Sequence, residues 1–315
     1  MKGKTFRIAV IIAIFMSLIS INLFAEAGTT SAVFLKLEQG ARPISMGGAF
    51  VGAADDVNAV MWNPAGLSKL PAFQLTLSHT VYFADMFYSY LAAGLPVGDI
   101  GAFGIGVVYV NSGKIKSWDV DGVTLPDFSA SDIGVNLAYG TKINPSLSLG
   151  ITVKLFSETI STQSAFGFAA DLGGIIKLPI PDLQAGVVIA NLGPKFGFSG
   201  EAFMLPIEIK AGLSYTGVKN LMINMDYIQP IETRGILALG FEYWYKDIIS
   251  IRMGYQFQGK IDPNDLYNYV ASPGVLAGFV AGAGIKLGIY QVDYCYKQYG
   301  VLESTHRIGL TLKFK

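Results

Sequence analysis

The chain has one cysteine, Cys295, and two histidines, His79 and His306. A lone cysteine forms no internal disulfide. Three Cys and His side chains fall short of the four ligands of an ordinary structural zinc site. Charge is also scarce: 15% of residues are Asp, Glu, Lys or Arg, against about 25% in soluble domains. It is balanced as well, with 23 basic and 23 acidic residues, so no basic field exists to attract a nucleic acid. A long apolar helix is missing after residue 27. The nearest candidate, Val275 to Ile289, is Gly/Ala-rich and carries Lys286, whereas a membrane-spanning helix needs about 18 clean apolar residues. No complete phosphate-binding or dinucleotide-binding glycine motif occurs, and no cofactor is expected. What the chain has in quantity is apolar residues (51%), with 37 Gly, 20 Phe and 16 Tyr. That content excludes disorder and leaves an unusually apolar soluble protein or a membrane protein.

The first 27 residues set the compartment. Lys2, Lys4 and Arg7 precede an apolar run from Ile8 to Phe24, broken only by Ser17, Ser20 and Asn22. Ala25-Glu26-Ala27 then supplies a small-x-small cleavage site, so residues 1–27 read as a secretory signal peptide and the mature chain starts near Gly28. The alternative is an uncleaved signal anchor. No cysteine lies near the site to carry a lipoprotein anchor.

The mature chain alternates. In Leu147 to Leu155, Leu147, Leu149, Ile151, Val153 and Leu155 oppose Ser148, Gly150, Thr152 and Lys154. The same period of two runs through 73–83, 133–141, 207–215, 249–257, 290–296 and 308–314. Such strict alternation means strands with one apolar face. Weaker runs at 86–96, 100–111, 166–178, 183–191, 221–230, 236–245 and 275–286 bring the total to fourteen, an even number as in a bacterial outer-membrane barrel. The three longest connections, 112–129, 192–204 and 259–273, all fall at odd-numbered gaps, and the even gaps are short. Short periplasmic turns and longer outer loops follow that parity. The first gap, at Ala84-Asp85, is odd yet short.

Charges fall on the polar face: Lys154, Asp171, Lys177, Glu208, Lys210, Asp226, Glu242, Arg252, Lys286, Asp293, Lys297 and Arg307. They could line an aqueous channel. Cross-strand ion pairs in a plugged lumen are the favoured expectation. Ile151 should face lipid, and Thr152, facing the lumen, should tolerate charge better. His79 and His306 fall in the lipid-facing register near the outer halves of the first and last strands, as interfacial polar residues rather than a catalytic pair. Asp119-Val120-Asp121-Gly122 lacks the remaining ligands of a calcium loop and reads as a turn. The protein is not expected to be an enzyme.

Residues 28–72 precede the barrel assigned to 73–315 and contain no strand pattern. Asp55-Asp56 can cap a short helix over 57–61, and Asn63-Pro64 then forces a turn. About 45 residues of compact chain joined directly to a barrel suggest an internal plug, with a periplasmic extension as the alternative. The runs Gly40-Ala41-Arg42, Met46-Gly47-Gly48-Ala49-Phe50, Ala54-Asp55-Asp56 and Trp62-Asn63-Pro64-Ala65-Gly66-Leu67 resemble the N-terminal hatch of FadL-type outer-membrane proteins, closest to their PorV/PorQ-like branch.

The resemblance implies an all-β fold: a transmembrane antiparallel barrel of about 14 strands with an N-terminal hatch. It implies a place in the outer membrane, in contact with its lipid, and passage of long-chain fatty acids or similar hydrophobic small molecules. The Asn-Pro-Ala positions carry over to Asn63, Pro64 and Ala65, and the hatch turn to Gly47 and Gly48. Phe50, Trp62 and Gly66 complete the candidate hatch and ligand set. A transport role also predicts an apolar pocket lined by Phe50, Met61, Trp62 and Phe156. PorV-like members instead act as docking or shuttle proteins for secreted cargo, which predicts partners on the loops 112–129, 192–204 and 259–273. The outer loops are brief for a large extracellular substrate groove.

Overall fold

The computed structural model describes residues 28–198, 200–258, 277–300 and 303–314. The signal-peptide segment 1–27 and the long connection 259–273 lie outside the described residues. The strands are β1 (Gln74–Val81), β2 (Phe87–Val97), β3 (Gly101–Asn111), β4 (Ile115–Trp118), β5 (Thr124–Phe128), β6 (Ala130–Asn144), β7 (Leu147–Ile160) and β8 (Gln163–Lys177). They continue with β9 (Leu183–Leu192), β10 (Glu208–Val218), β11 (Leu221–Pro230), β12 (Ile236–Tyr245), β13 (Ile249–Gln258), β14 (Phe279–Leu287), β15 (Tyr290–Gln298) and β16 (Ser304–Lys313). All but β4 and β5 form one closed antiparallel barrel of fourteen strands, in which β16 returns to pair with β1. Closure leaves no free edge, which is what lets a sheet stand in lipid.

Alternation becomes orientation in the wall. Along β7, Leu149, Ile151, Val153 and Leu155 are 40–51% exposed, while Thr152, Lys154 and Phe156 are buried. The same outward band continues through Leu77, Leu91, Ile105, Leu137, Phe241, Met253, Val292 and Leu310. An exposed apolar belt around a closed barrel is the surface a bilayer covers. His79 and His306 lie exposed on this outer face; His79 bonds Ser89 at 3.0 Å and His306 bonds the Tyr294 hydroxyl at 2.6 Å.

Two expectations need correction. The connection 112–129 is not plain loop but holds the β4–β5 hairpin, whose strands are too short to show a period. Asp119 makes its turn, accepting from the Asp121 and Val123 amides at 3.0 and 2.8 Å. The last two uneven boundaries also shift: β14 starts at Phe279 rather than 275, and β16 already at Ser304.

The chain before β1 lies inside the barrel. It contains α1 (Ala41–Ser45), α2 (Ala59–Trp62), and single 3-10 turns at Val33–Lys36 and Pro64–Lys69. Every residue from 39 to 54 is buried. The helix expected over 57–61 runs instead over 59–62, because Asp56 is used one step earlier: its Oδ1 accepts from the Asn58 backbone and side-chain amides, each at 2.9 Å. Asp55 caps nothing and bonds Arg42.

Candidate functional site: a sealed floor beneath a lined cavity

The interior divides into two levels. Near the end of the barrel with the short turns, the wall carries an inward-facing glycine on most strands, and the glycines oppose one another across the ladders: Gly94 with Gly104, Gly140 with Gly150 and Gly173, Gly186 with Gly212, Gly240 with Gly254. The N-terminal segment fills the space that their side chains would occupy, with backbone at several positions and with the side chains of Leu70, Val60 and Asn63 at Gly94, Gly104 and Gly173. A Cβ on Gly254 would stand 2.1 Å from the Gly47 nitrogen, one on Gly140 2.2 Å from the Pro64 carbonyl oxygen, and one on Gly150 2.4 Å from the Ala65 nitrogen. Glycine is needed here for close approach. Gly47 itself has φ +66 and lies against the Leu239 carbonyl, where a Cβ would meet it at 2.8 Å.

Specific bonds hold this contact in register. Asn63 is fully buried, and its Nδ2 donates to the carbonyls of Val51 (2.9 Å) and Gly174 (3.2 Å) while its Oδ1 accepts from the Ala65 amide at 3.2 Å. Its extended backbone, φ −156, suits the residue before Pro64, and Pro64 opens the 3-10 turn that contains Ala65 and Gly66. A Cβ on Gly66 would meet Ala54 at 2.7 Å. The Val51 amide donates to Asp226 at 2.6 Å, and Thr152 Oγ1 donates to the Val60 carbonyl at 3.1 Å.

A buried ion-pair chain joins the same level. Arg42 reaches Glu242 through Nη2 at 2.7 Å and Asp56 through Nη1 at 2.7 Å; Glu242 also receives Arg252 at 2.6 Å, and Arg252 reaches Asp293 at 2.7 Å. Burial alone would raise the Asp56 carboxyl, but Arg42 and Lys313 outweigh it and hold it below its ordinary value. Lys69, in the turn after Pro64, is pushed down to about 8 by burial. Below the floor a cavity of about 340 Å³ is lined by Arg42, Asp55, Asp56, Asp247, Lys286 and Lys313.

Above the floor the wall residues are long, and a cavity of about 270 Å³ opens between them. Met61 and Trp62 belong to its lining, and it reaches Tyr82 and Tyr299 in the outer turns. Leu35, Leu37, Tyr88, Ile228 and Ile236 give it apolar surface. Its charges are paired: Lys297 with Glu38, Lys36 with Glu232, Lys154 with Asp171 at 2.8 Å, and Lys210 with Glu208 at 2.8 Å. Beside it, Phe156 packs between Phe34 and Phe196, with ring centroids 5.8 and 5.0 Å away. Phe196 comes from the long connection after β9.

The expected site residues therefore separate. Trp62 and Met61 line the cavity. Gly47, Asn63, Pro64, Ala65 and Gly66 form the floor contact. Gly48, φ +74, lies where a Cβ would stand 2.6 Å from Glu38. Phe50 does not line the cavity: it is fully buried against Trp62 at 6.1 Å and under Arg42 at 5.4 Å. The cavity is amphipathic rather than purely apolar. Among the inward charges, Lys154 with Asp171, Glu242 with Arg252, and Arg252 with Asp293 form ion pairs across strands; Glu208 and Lys210 pair within β10, Lys297 pairs with Glu38 of the N-terminal segment, and Lys177 and Lys286, on the inward register, are exposed at strand ends. The wall glycines were not singled out from sequence, and Arg42 entered only within the Gly40-Ala41-Arg42 run.

No family model matches the sequence, and none of the curated proteins does. Solved structures match across the barrel and the segment before it. A deltaS2 mutant of the TodX monoaromatic hydrocarbon channel aligns with TM-score 0.64 at 13% identity, over 89% of this chain and 100% of that one. The Pseudomonas putida toluene transporter TodX aligns with TM-score 0.61 at 14% identity, over 92% and 98%. A Pseudomonas aeruginosa FadL homologue aligns with TM-score 0.56 at 13% identity, over 85% and 97%. The fold is FadL-like. At these identities the likeness is one of fold, and the FadL-like barrel here is built from its own set of side chains.

Proposed function

We propose that this protein is an outer-membrane channel of the FadL type for small hydrophobic molecules, exported by residues 1–27, with residues 28–72 as its hatch. The observation that carries the reading is the cavity above Trp62 and Met61, floored by the N-terminal segment inside a FadL-like barrel. Gly47, Gly48, Asn63, Pro64, Ala65 and Gly66 set the hatch against the wall, and Phe50 and Trp62 brace it from within. The paired charges of the lining suit an amphipathic ligand, with a polar head near the ion pairs and an apolar part against Leu35, Met61 and Ile228. A long-chain fatty acid has that form.

The test is a hatch variant. Gly48→Val with Pro64→Ala removes the turn at Pro64 and pushes a side chain into Glu38. We expect uptake of a fluorescent fatty acid by intact cells to change at least severalfold, with heat-modifiable migration on gels unchanged. Wild-type protein that promotes no uptake and co-purifies with no lipid counts against the channel.

A second reading rests on one feature. The β4–β5 hairpin projects from the loop end with Trp118 56% exposed, Val120 101% and Val123 60%, a small apolar tip of the kind that marks a protein contact. On this reading the barrel is a PorV-like docking protein for secreted cargo. Recovery of secreted proteins by wild-type barrels, lost on replacing the hairpin by a Gly-Ser turn, would move the assignment to docking.

A further inference from the structure

The outer face of the wall is not uniform. On β12 and β13 it holds an apolar groove of about 470 Å³. Phe241 and Tyr243 form one bank, Ile251, Met253 and Tyr255 the other, and Phe279 closes its outer end. The groove stays open on the far side because β14 sets only Ala281 and Ala283 beside Met253 and Ile251. Its inner end leads through the Tyr245–Ile249 pair to the turn that follows β12. There Lys246 is exposed, makes no ion pair among the described residues, and places its ammonium 5.3 Å from the Tyr245 ring centroid. A further exposed lysine, Lys219, occupies the neighbouring inner turn, while Asp247 and Lys286 line the cavity below the floor. Among the described residues, the exposed charges in the other inner turns are Lys142 and Lys177 with Asp99 and Asp182.

We propose that this face is a binding site for one phospholipid of the periplasmic leaflet, its acyl chain in the groove and its phosphate at Lys246. The inference rests on the transmembrane reading given above. An acyl chain fits because the lining offers aliphatic and aromatic surface with tyrosine hydroxyls as its polar atoms, and because a free polar ligand would not reach it through a bilayer. The headgroup follows from charge: the groove ends beside a net-positive rim, and a lysine near an anionic surface is attracted to it. Tyrosines at that level suit the boundary, where one end of the ring is apolar and the other wet.

The test reconstitutes full-length mature barrel into vesicles of phosphatidylethanolamine and phosphatidylglycerol, floats them, re-extracts the protein in mild detergent and counts retained phospholipid per barrel by native mass spectrometry. Wild type should keep one. Ile251→Trp, which fills the groove with apolar bulk, and Lys246→Glu should each lower occupancy at least fivefold. Leu91→Trp, on the opposite wall, should leave it unchanged. Equal retention in all four proteins, no retained lipid in wild type, or a dimer in place of the lipid-bound monomer overturns the site. Loss with Ile251→Trp but not with Lys246→Glu overturns the phosphate assignment. A barrel that fails to float with the vesicles removes the transmembrane reading itself, which is a separate result from floating without bound lipid.

Discussion

The two levels of the lumen use the same wall for opposite ends. At the floor, many inward wall positions are glycine, and residues 46–70 take up the space. A few residues outward along the same strands, Tyr88, Lys154, Glu208 and Lys297 stand in from the wall, and the N-terminal segment can no longer touch the backbone behind them. The gap they hold open is the cavity. Residue size at one height of the barrel thus decides between close contact and a chamber. The ion pairs differ in the same way. Those at the floor, centred on Glu242 and Arg252, are buried and shared among several partners, whereas Lys36 and Glu38 in the chamber keep part of their surface in solvent.

The largest change expected from breaking this contrast is Glu242→Leu. It takes from Arg42 and Arg252 the buried carboxylate they share, leaving Arg42 with Asp55 and Asp56 and Arg252 with Asp293, and removing one partner of a buried pair costs about 3–5 kcal/mol; urea unfolding from bilayers should show it. Next is the outer surface, which should be indifferent to the division inside. Ile151→Arg should cost roughly 2–4 kcal/mol at mid-depth, and Leu287→Arg at a strand end about 0–1. A smaller effect separates neighbours in β8. Gly173→Val meets Asn63 and Pro64, with Cβ distances of 2.3 and 2.8 Å, while Gly174 faces outward with ordinary contacts beyond 3.4 Å. We expect about 1–3 kcal/mol at Gly173, as for overpacking, and a change within about 0.5 at Gly174. Equal costs at the two positions would mean that the floor is not tightly packed. The smallest stability effect belongs to the hairpin: Val120→Ser should stay within about 0.5 kcal/mol, so any loss of protein capture by this variant reports docking rather than folding.

Much of the wall was legible in the sequence. A period of two survives any error in strand ends, so fourteen strands and the inward placement of Lys154, Asp171 and Arg252 follow from counting. The hairpin within 112–129 was hidden because four or five residues cannot display alternation. The glycine level was hidden for another reason. Gly140, Gly150 and Gly173 are unremarkable in sequence, and only the register of two ladders brings them to one height. The same ignorance of height misplaced Thr152. It does face the lumen, but it is fully buried under Val60, so it is no tolerant reference for a charge. Phe50 and Trp62 looked alike as aromatic candidates and differ only in which side of the floor they meet.

Barrel closure between β1 and β16 has a consequence for biogenesis. The segment that seals the interior is first in the chain, and the strand that shuts the ring is last. With a Cβ's width or less between Gly254 and Gly47, or between Gly140 and Pro64, residues 46–66 have no room to thread into a finished cylinder. The sheet must wrap around a segment already in position, or the ring must stay unzipped along the β1–β16 seam until that segment arrives. Insertion machinery that held this seam open would therefore control the moment at which the interior is filled as well as the moment at which the wall is completed.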